Sequence, residues 1–244
     1  MQVVLALETS TDACSVALAH GERVYHRHYL EPRAHNRILL PMIAELLAEA
    51  ELSPAELEAV AFGRGPGSFT GLRIAAAVTQ GIAWPRDLPV LGISTLSVLA
   101  ASAAASRDLS GVSGILTLVD ARMGELYWNA FRLEKDGMRG LVEDALATPA
   151  ALGDGLRAAL AEDAGSGRWL VVGSGLAALT ASGHRLPSRM EVIETADVLP
   201  DARCLLALAR PQFAAGYGLS AGEAIPHYLQ DERRWRRQTD PPRR

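Results

Sequence analysis

The residues that could do chemistry gather in three places. The first is the loop Gly63-Arg64-Gly65-Pro66-Gly67-Ser68-Phe69-Thr70-Gly71, set between an apolar run and a small-residue stretch. Such a loop entering a helix presents backbone amides to an anion, so Gly65, Gly67 and Ser68 are candidate phosphate contacts. No Gly-Lys-Ser/Thr ending follows, and the glycine spacing is not that of a dinucleotide fingerprint. Pro66 has no amide to give. The preferred reading is a tight strand-to-helix turn whose glycines allow close packing. The second place is the turn Glu8-Thr9-Ser10-Thr11-Asp12, with Asp120 opening the corresponding turn of the second half. A Glu and an Asp facing one cleft could hold Mg²⁺ through water. Hairpin turns also favour these residue types for backbone reasons, and both readings stay open.

The histidines are the third. His26 and His28 lie two apart and so share one strand face. No third ligand is close in sequence, and solvated strand histidines are the reading adopted. His20, His35, His184 and His227 add no paired helical spacing. Cys14 and Cys204 stand far apart and complete no zinc set, so no metal site is expected. Ser68 and Ser174 sit in glycine-containing loops without the Gly-x-Ser-x-Gly elbow of a nucleophile.

These residues need elements to position them. Val3–Leu7, Cys14–Ala19 and Arg23–Leu30 read as a β-meander. Asn36–Ala50 has helical periodicity, with Leu39, Met42, Ile43, Leu46, Leu47 and Ala50 apolar and Ile38 and Leu40 widening the stripe. A stripe that wide predicts burial on more than one side. Strands at Ala59–Phe62 and Val90–Ile93 alternate with helices at Leu72–Trp84 and Leu96–Ala105. The pattern then restarts: strands at Ile115–Val119 and Glu125–Leu133, a third near Gly140–Asp144, a helix over Thr148–Glu162, a strand at Trp169–Val172, and a helix after Gly173-Ser174-Gly175. Asp201–Ala215 is a final helix. Two strand-rich openings, each followed by α/β alternation, predict a duplicated two-lobed α/β fold with mixed sheets. The expected lobes are 1–105, joined by the helix 201–215, and 106–200, with 216–244 as a C-terminal extension.

Composition narrows the class. The chain has 244 residues, 49% hydrophobic and 21% charged, with a net charge of −4. That is globular rather than disordered, and a domain that bound nucleic acid alone would usually be basic. Among 24 basic residues only Lys135 is lysine, and the last twelve residues, from Arg233, carry six Arg. That Arg-rich tail reads as a solvated terminus rather than a tRNA-phosphate grip. The two cysteines read as reduced thiols. The start MQVVLALETS lacks a basic n-region, and no stretch approaches the roughly 20 apolar residues of a membrane span. A soluble cytoplasmic protein is expected.

Five segments carry a family resemblance: LALETSTDACSVAL, GRGPGSFTGLRIAAAVTQGIAW, GISTL, DARMGELYWNAF and EAIPHYLQ. In this order, from Leu5 to about Trp235, the chain resembles the TsaB family, and the run Gly65–Arg73 is its most specific element. The resemblance implies an actin-like (ASKHA, RNase H-like) fold. It also implies a part in forming N6-threonylcarbamoyladenosine in tRNAs that read codons beginning with A. In that pathway another enzyme makes threonylcarbamoyl-AMP, the TsaD subunit transfers the group to tRNA, and TsaB and the ATPase TsaE are partners. In actin-like ATPases a turn like Glu8-Thr9-Ser10 surrounds nucleotide phosphates, so weak nucleotide binding in the cleft is an option, with no cofactor required.

TsaD carries two metal-binding histidines four apart on a helix. Thr95 and Leu99 stand at the matching positions here, so the resemblance implies a paralogue without that metal centre, a scaffold rather than an enzyme. It further implies docking on TsaD through first-lobe helices, pairing with itself there when alone, and contact with tRNA only through the complex. Ile38, Leu39, Met42, Ile43 and Leu46, with Ala75, Ala76 and Thr79, are the expected interface. Met42→Glu with Ile43→Glu is then expected to break the heteromer and leave a folded monomer. The competing reading is a stand-alone actin-like ATPase or phosphotransferase. The absence of paired histidines argues against a metallopeptidase.

Overall fold

The computed structural model describes residues 2–135, 137–160, 167–187, 190–195 and 197–230. Its first sheet is built from β1 (Val3–Glu8), β2 (Ala13–His20), β3 (Arg23–Leu30), β4 (Ala59–Gly65) and β5 (Val90–Ser94), in the order β3-β2-β1-β4-β5. The meander β1–β2–β3 is antiparallel, whereas β1–β4 and β4–β5 are parallel. Parallel neighbours need a crossover, and helices α1 (His35–Glu49) and α2 (Phe69–Ala83) supply it.

The strand alternation decides which helix covers which face. Leu5, Leu7, Val16, Leu18, Val60 and Phe62 point to α1 and α2. Ala6, Ala17, Ala19, Ala59 and Ala61 point the other way, to α6 (Ala202–Ala214). A face of alanines lets α6 lie close, and a face of larger residues fills the deeper layer under α1 and α2. Burying one Leu or Val side chain contributes about 1.5–3 kcal/mol, so this double-sided core anchors the lobe.

The second sheet repeats the first. Its strands are β6 (Val112–Arg122), β7 (Glu125–Glu134), β8 (Gly137–Gly140), β10 (Gly167–Val172) and β11 (Met190–Thr195), in the order β11-β10-β6-β7-β8. Here too the opening hairpin is antiparallel, while β6–β10 and β10–β11 are parallel. With the short strand β9 (Ala145–Ala147), which pairs with β7 off this path, left aside, both sheets read 3-2-1-4-5 counted within the lobe. The fold is the expected two-lobed, actin-like α/β duplication with mixed sheets. Helices α4 (Pro149–Ala159) and α5 (Gly175–Ala181) cover one face of this sheet.

Between the sheets runs α3 (Thr95–Ser106). Its Val98 joins the Ala-lined core under α6, while Leu99, Ala100 and Ala103 pack on Ile115, Leu170 and Val172 of the second sheet. A helix buried on opposite sides cannot be amphipathic, which explains its nearly all-apolar sequence.

Two local expectations need correction. The third strand of the second meander is Gly137–Gly140, and a separate short strand, β9 (Ala145–Ala147), also pairs with β7. Residues 141–144 are the step between them, because the chain leaves the Phe131–Glu134 end of β7 and returns to its Leu126–Trp128 end. Strand β11 was not foreseen: MEVIET is short and carries two Glu.

Candidate functional site

The turn after β1 and the loop after β4 meet directly. Ser68 donates its backbone N–H to the Ser10 carbonyl at 2.7 Å, and the Thr9 hydroxyl donates to the Gly71 carbonyl at 2.8 Å. Ser68 Oγ caps α2 by accepting from the Gly71 N–H. Thr9 and Ser10 are fully buried. A β-carbon on Gly67 would press on Ser10, and Gly65 holds a φ of 108°, which L side chains rarely adopt. The candidate cleft residues Glu8, Thr9, Ser10, Gly67 and Ser68 thus come together as one packed staple, whereas Gly65 packs against Leu72 and the His227 carbonyl. The Ser68 amide, which a phosphate cradle would have used, is engaged inside it.

Glu8 is the exception within this staple. Its Oε1 accepts the Ser10 N–H at 2.7 Å, but Oε2 is buried with no hydrogen-bond partner. Burial pushes its carboxyl above the usual range against the hydrogen bonds from Ser10 and Thr9, and the Asp201 charge adds to the rise. Asp120 lies near the end of β6, the strand topologically equivalent to β1, and is paired with Leu126 of β7. Its Oδ1 accepts the Arg122 N–H, and its own N–H donates to Ser174 Oγ at 3.2 Å. Its bonds therefore run to the small-residue loop of its own lobe, as those of Ser10 run to Ser68.

The expected interface residues are placed differently from the sequence reading. Leu39, Met42, Ile43 and Leu46 lie in the core under α1, at 1%, 2%, 5% and 0% exposure, and Ala75, Ala76 and Thr79 are buried with them. Ile38 is half-buried against the same cluster. These side chains face the lobe's own first sheet, so they are not a docking surface. The broad stripe is consumed by packing on strands and on the neighbouring helix. What α1 and α2 turn outward is another set: Leu40, Pro41, Ala44 and Ala48 on α1 beside the exposed Arg37, Glu45 and Glu49, and Ala77 and Gly81 on α2 after the exposed Arg73, with Ile74, Val78 and Ile82 half-exposed beside them. No charged residue occurs between Arg73 and Arg86.

The C-terminal segment borders this surface. Gln80 donates to the Ala224 carbonyl, and Arg73 donates to the Tyr228 hydroxyl while stacking over Phe69 at 3.8 Å. Gln230 then reaches the Ala121 carbonyl in the second lobe at 2.8 Å. The Arg-rich tail from Arg233 lies outside the described residues.

One cluster escaped the sequence reading, which found no third ligand for His26 and His28. Asp201, the N-cap of α6, supplies it. His26 Nε2 stands 3.2 Å from Asp201 Oδ1 and His28 Nδ1 stands 3.7 Å from Oδ2. Burial alone would raise the Asp201 pKa, but the facing His26 and His28 rings and the hydrogen bonds from Arg203 outweigh it and hold the carboxyl well below its usual range. The available signal was the His-x-His spacing; the partner could not be found because it comes from the far end of the chain. By contrast, Thr95 and Leu99 are both buried at 1% exposure, and the Thr95 hydroxyl has no partner.

Comparison with known proteins accords with this architecture. Residues 30–233 match the family model described as "TsaD: tRNA N6-adenosine threonylcarbamoyltransferase". A tRNA threonylcarbamoyladenosine biosynthesis protein TsaB of Escherichia coli is 34% identical over 96% of this chain and 97% of its own. Its counterpart in Haemophilus influenzae is 34% identical over 96% of each. The solved structure of YeaZ from Pseudomonas aeruginosa, 38% identical, superposes with a TM-score of 0.81 over 94% of this chain and 100% of that one. The chain belongs to the TsaB family, within the wider group that shares the TsaD-like family model.

Proposed function

We propose that this chain is the non-catalytic partner subunit of a TsaD-type tRNA N6-adenosine threonylcarbamoyltransferase, docking on it through the outward face of α1 and α2. Family membership gives the process, tRNA threonylcarbamoyladenosine biosynthesis. The observation that carries the docking role is the outward face of α2 beyond Arg73, uncharged to the end of the helix, where Ala77 and Gly81 are exposed and Ile74, Val78 and Ile82 half-exposed. Small residues let a partner helix approach closely, and the half-exposed aliphatic side chains give it apolar area to bury. A specific interface of standard size takes about 800 Å² per partner. Leu40, Pro41, Ala44 and Ala48 extend the surface on α1.

Support for the non-catalytic part comes from Thr95 and Leu99, buried core residues where a TsaD-type chain would carry its metal histidines. In this reading the chain acts in the cytoplasm, a TsaE-type ATPase joins the complex, tRNAs reading A-starting codons are reached only through it, and the same face pairs two copies when the partner is absent. No helix among the described residues is long and apolar enough to cross a membrane.

Reconstitution of tRNA modification from purified components tests the proposal. Activity should require a TsaD-type subunit and rise strongly when this chain is added. Transfer of threonylcarbamoyl to tRNA by this chain alone, or full activity without it, would overturn it.

A further inference from the structure

The geometry points to a binding site for a first-row divalent transition metal, Zn²⁺ being the natural probe, formed by His26 Nε2, His28 Nδ1 and the Asp201 carboxylate. The three donor atoms all lie within 4.8 Å of one another. The imidazole nitrogens stand 3.2 and 3.7 Å from the two carboxylate oxygens. Two ligands on a tetrahedral ion with bonds of about 2.0–2.2 Å are separated by about 3.4 Å, so these spacings are those of donors sharing one metal. Two imidazoles and a carboxylate suit zinc, cobalt or nickel, whereas Mg²⁺ and Ca²⁺ prefer all-oxygen sets.

Burial supports the same assignment. The side chains of His26, His28 and Asp201 are only 19%, 29% and 12% exposed. His28 Nδ1 is buried, and its facing group, the Asp201 carboxylate at 3.7 Å, lies beyond hydrogen-bond distance. A desolvated ring nitrogen held that far from its acceptor is poorly satisfied, and a metal bond would satisfy it.

The ligands are also held from behind. The Asp201 N–H donates to Ser102 Oγ, and its carboxylate accepts from the Arg203 side chain and backbone. Ser15 Oγ, beside His26 Nε2, accepts the Ala202 N–H. Such outer partners orient metal ligands. Arg203 brings a positive charge to the same carboxylate, which weakens affinity and makes the two imidazoles the principal anchors.

Entry is provided for. His28 and Asp201 line a cavity of about 510 Å³ together with Ser102, Arg107, Arg203 and Cys204. Three protein ligands and one face open to a cavity is the arrangement that leaves a coordination position for water or an anion. Because His26 and His28 lie on edge strand β3 and Asp201 begins α6, a bound ion would clip the sheet edge to the helix that closes the opposite layer.

Titration of the tag-free, chelator-stripped full chain with Zn²⁺, read by calorimetry, tests the site, with Co²⁺ absorption as a second readout. One ion per chain should bind, the melting temperature should rise with Zn²⁺, and Co²⁺ should develop ligand-field bands. His28→Ala and Asp201→Asn should each weaken binding about 10–100-fold and abolish the Co²⁺ bands. His28→Gln serves as a volume-conserving second variant, and melting in chelator confirms that each variant is folded. Absence of saturable binding, or binding and Co²⁺ bands that survive both His28 variants, would show the cluster to be an ion-paired network only.

Discussion

Gly71 presses its backbone against Thr9: a β-carbon at Gly71 would lie 1.9 Å from the Thr9 carbonyl oxygen, while the Thr9 hydroxyl donates back to the Gly71 carbonyl at 2.8 Å. The second lobe repeats the device, since a β-carbon on Gly175 would lie 2.8 Å from the Leu118 carbonyl carbon. In the first lobe the loop after β4 is pinned on the end of β1, and in the second the loop after β10 is pinned on β6. The glycine-rich loop therefore closes the lobe, and its Ser68 amide is spent on that closure.

The pin predicts the effect of Gly71→Ala. Both opposing atoms are backbone and cannot rotate away, so strand and helix must separate. Alanine gains up to about 1 kcal/mol of helix propensity, and overpacking of up to about 3 kcal/mol, at the severe end for a 1.9 Å approach to backbone, exceeds it. Urea denaturation should show a lower midpoint with an unchanged slope. An unchanged or raised midpoint would mean that the contact is slack.

Inside and outside of α1 and α2 predict opposite outcomes for added charge. Met42→Glu with Ile43→Glu puts two carboxylates at positions 2% and 5% exposed. Each costs several kcal/mol to bury unpaired, against a typical total stability of about 5–15 kcal/mol. The double variant should be insoluble or unfolded, which replaces the expectation of a folded monomer. Ala77→Glu and Ala44→Glu, on the exposed face, should leave the melting temperature within a few degrees. They should abolish co-elution with a TsaD-type partner on size exclusion. Undiminished co-elution of both would move the docking surface elsewhere.

These two outcomes mark where sequence reading stopped. The apolar runs Val3–Leu7 and Cys14–Ala19, separated by a polar turn, pointed to the meander, and the strand-rich restart near Ile115 pointed to the duplication. Both patterns are local, and local periodicity survives folding. The stripe Ile38–Leu47 was ambiguous because its width fits either a second partner or a deep intramolecular groove. Only the position of α2 and the first sheet decides for the groove. The His26–His28–Asp201 cluster was invisible for a different reason: α6 returns to the first sheet after the whole second lobe, and no spacing rule links residues that far apart. The outward face of α2 was legible as an uncharged run, yet which of its residues faced out was not.

Glu8 predicts an unusual pH dependence. Its folded pKa is raised above 4.5 by burial first, with Asp201 adding. A group raised in the folded state contributes stability that is complete below the unfolded value and is lost as pH rises through the folded one. Ionised Glu8 therefore weighs against the native state at neutral pH. Glu8→Gln, which keeps an acceptor for the Ser10 N–H, should be more stable than the parent at pH 7. That advantage should shrink toward pH 4.5 and below. A pH-independent difference between the two proteins would show that the carboxyl does not titrate in this range.

Cys14 makes the same burial visible to a chemical probe. It sits in β2 within the core under α1, and burial, with Glu8's charge second, pushes its thiol up to about 12. At pH 8 the reactive thiolate is then on the order of 10⁻⁴ of the population, and access requires opening of the sheet. Cys204 is half-buried and lines the cavity beside Asp201, its thiol also raised by burial. An aromatic disulfide reagent should therefore label Cys204 slowly in the native chain and Cys14 only in denaturant, and Cys204→Ser should remove native labelling altogether. Prompt native labelling of the Cys204→Ser variant would mean that β2 is reached by solvent, and the double-sided core of the first lobe would have to be redrawn.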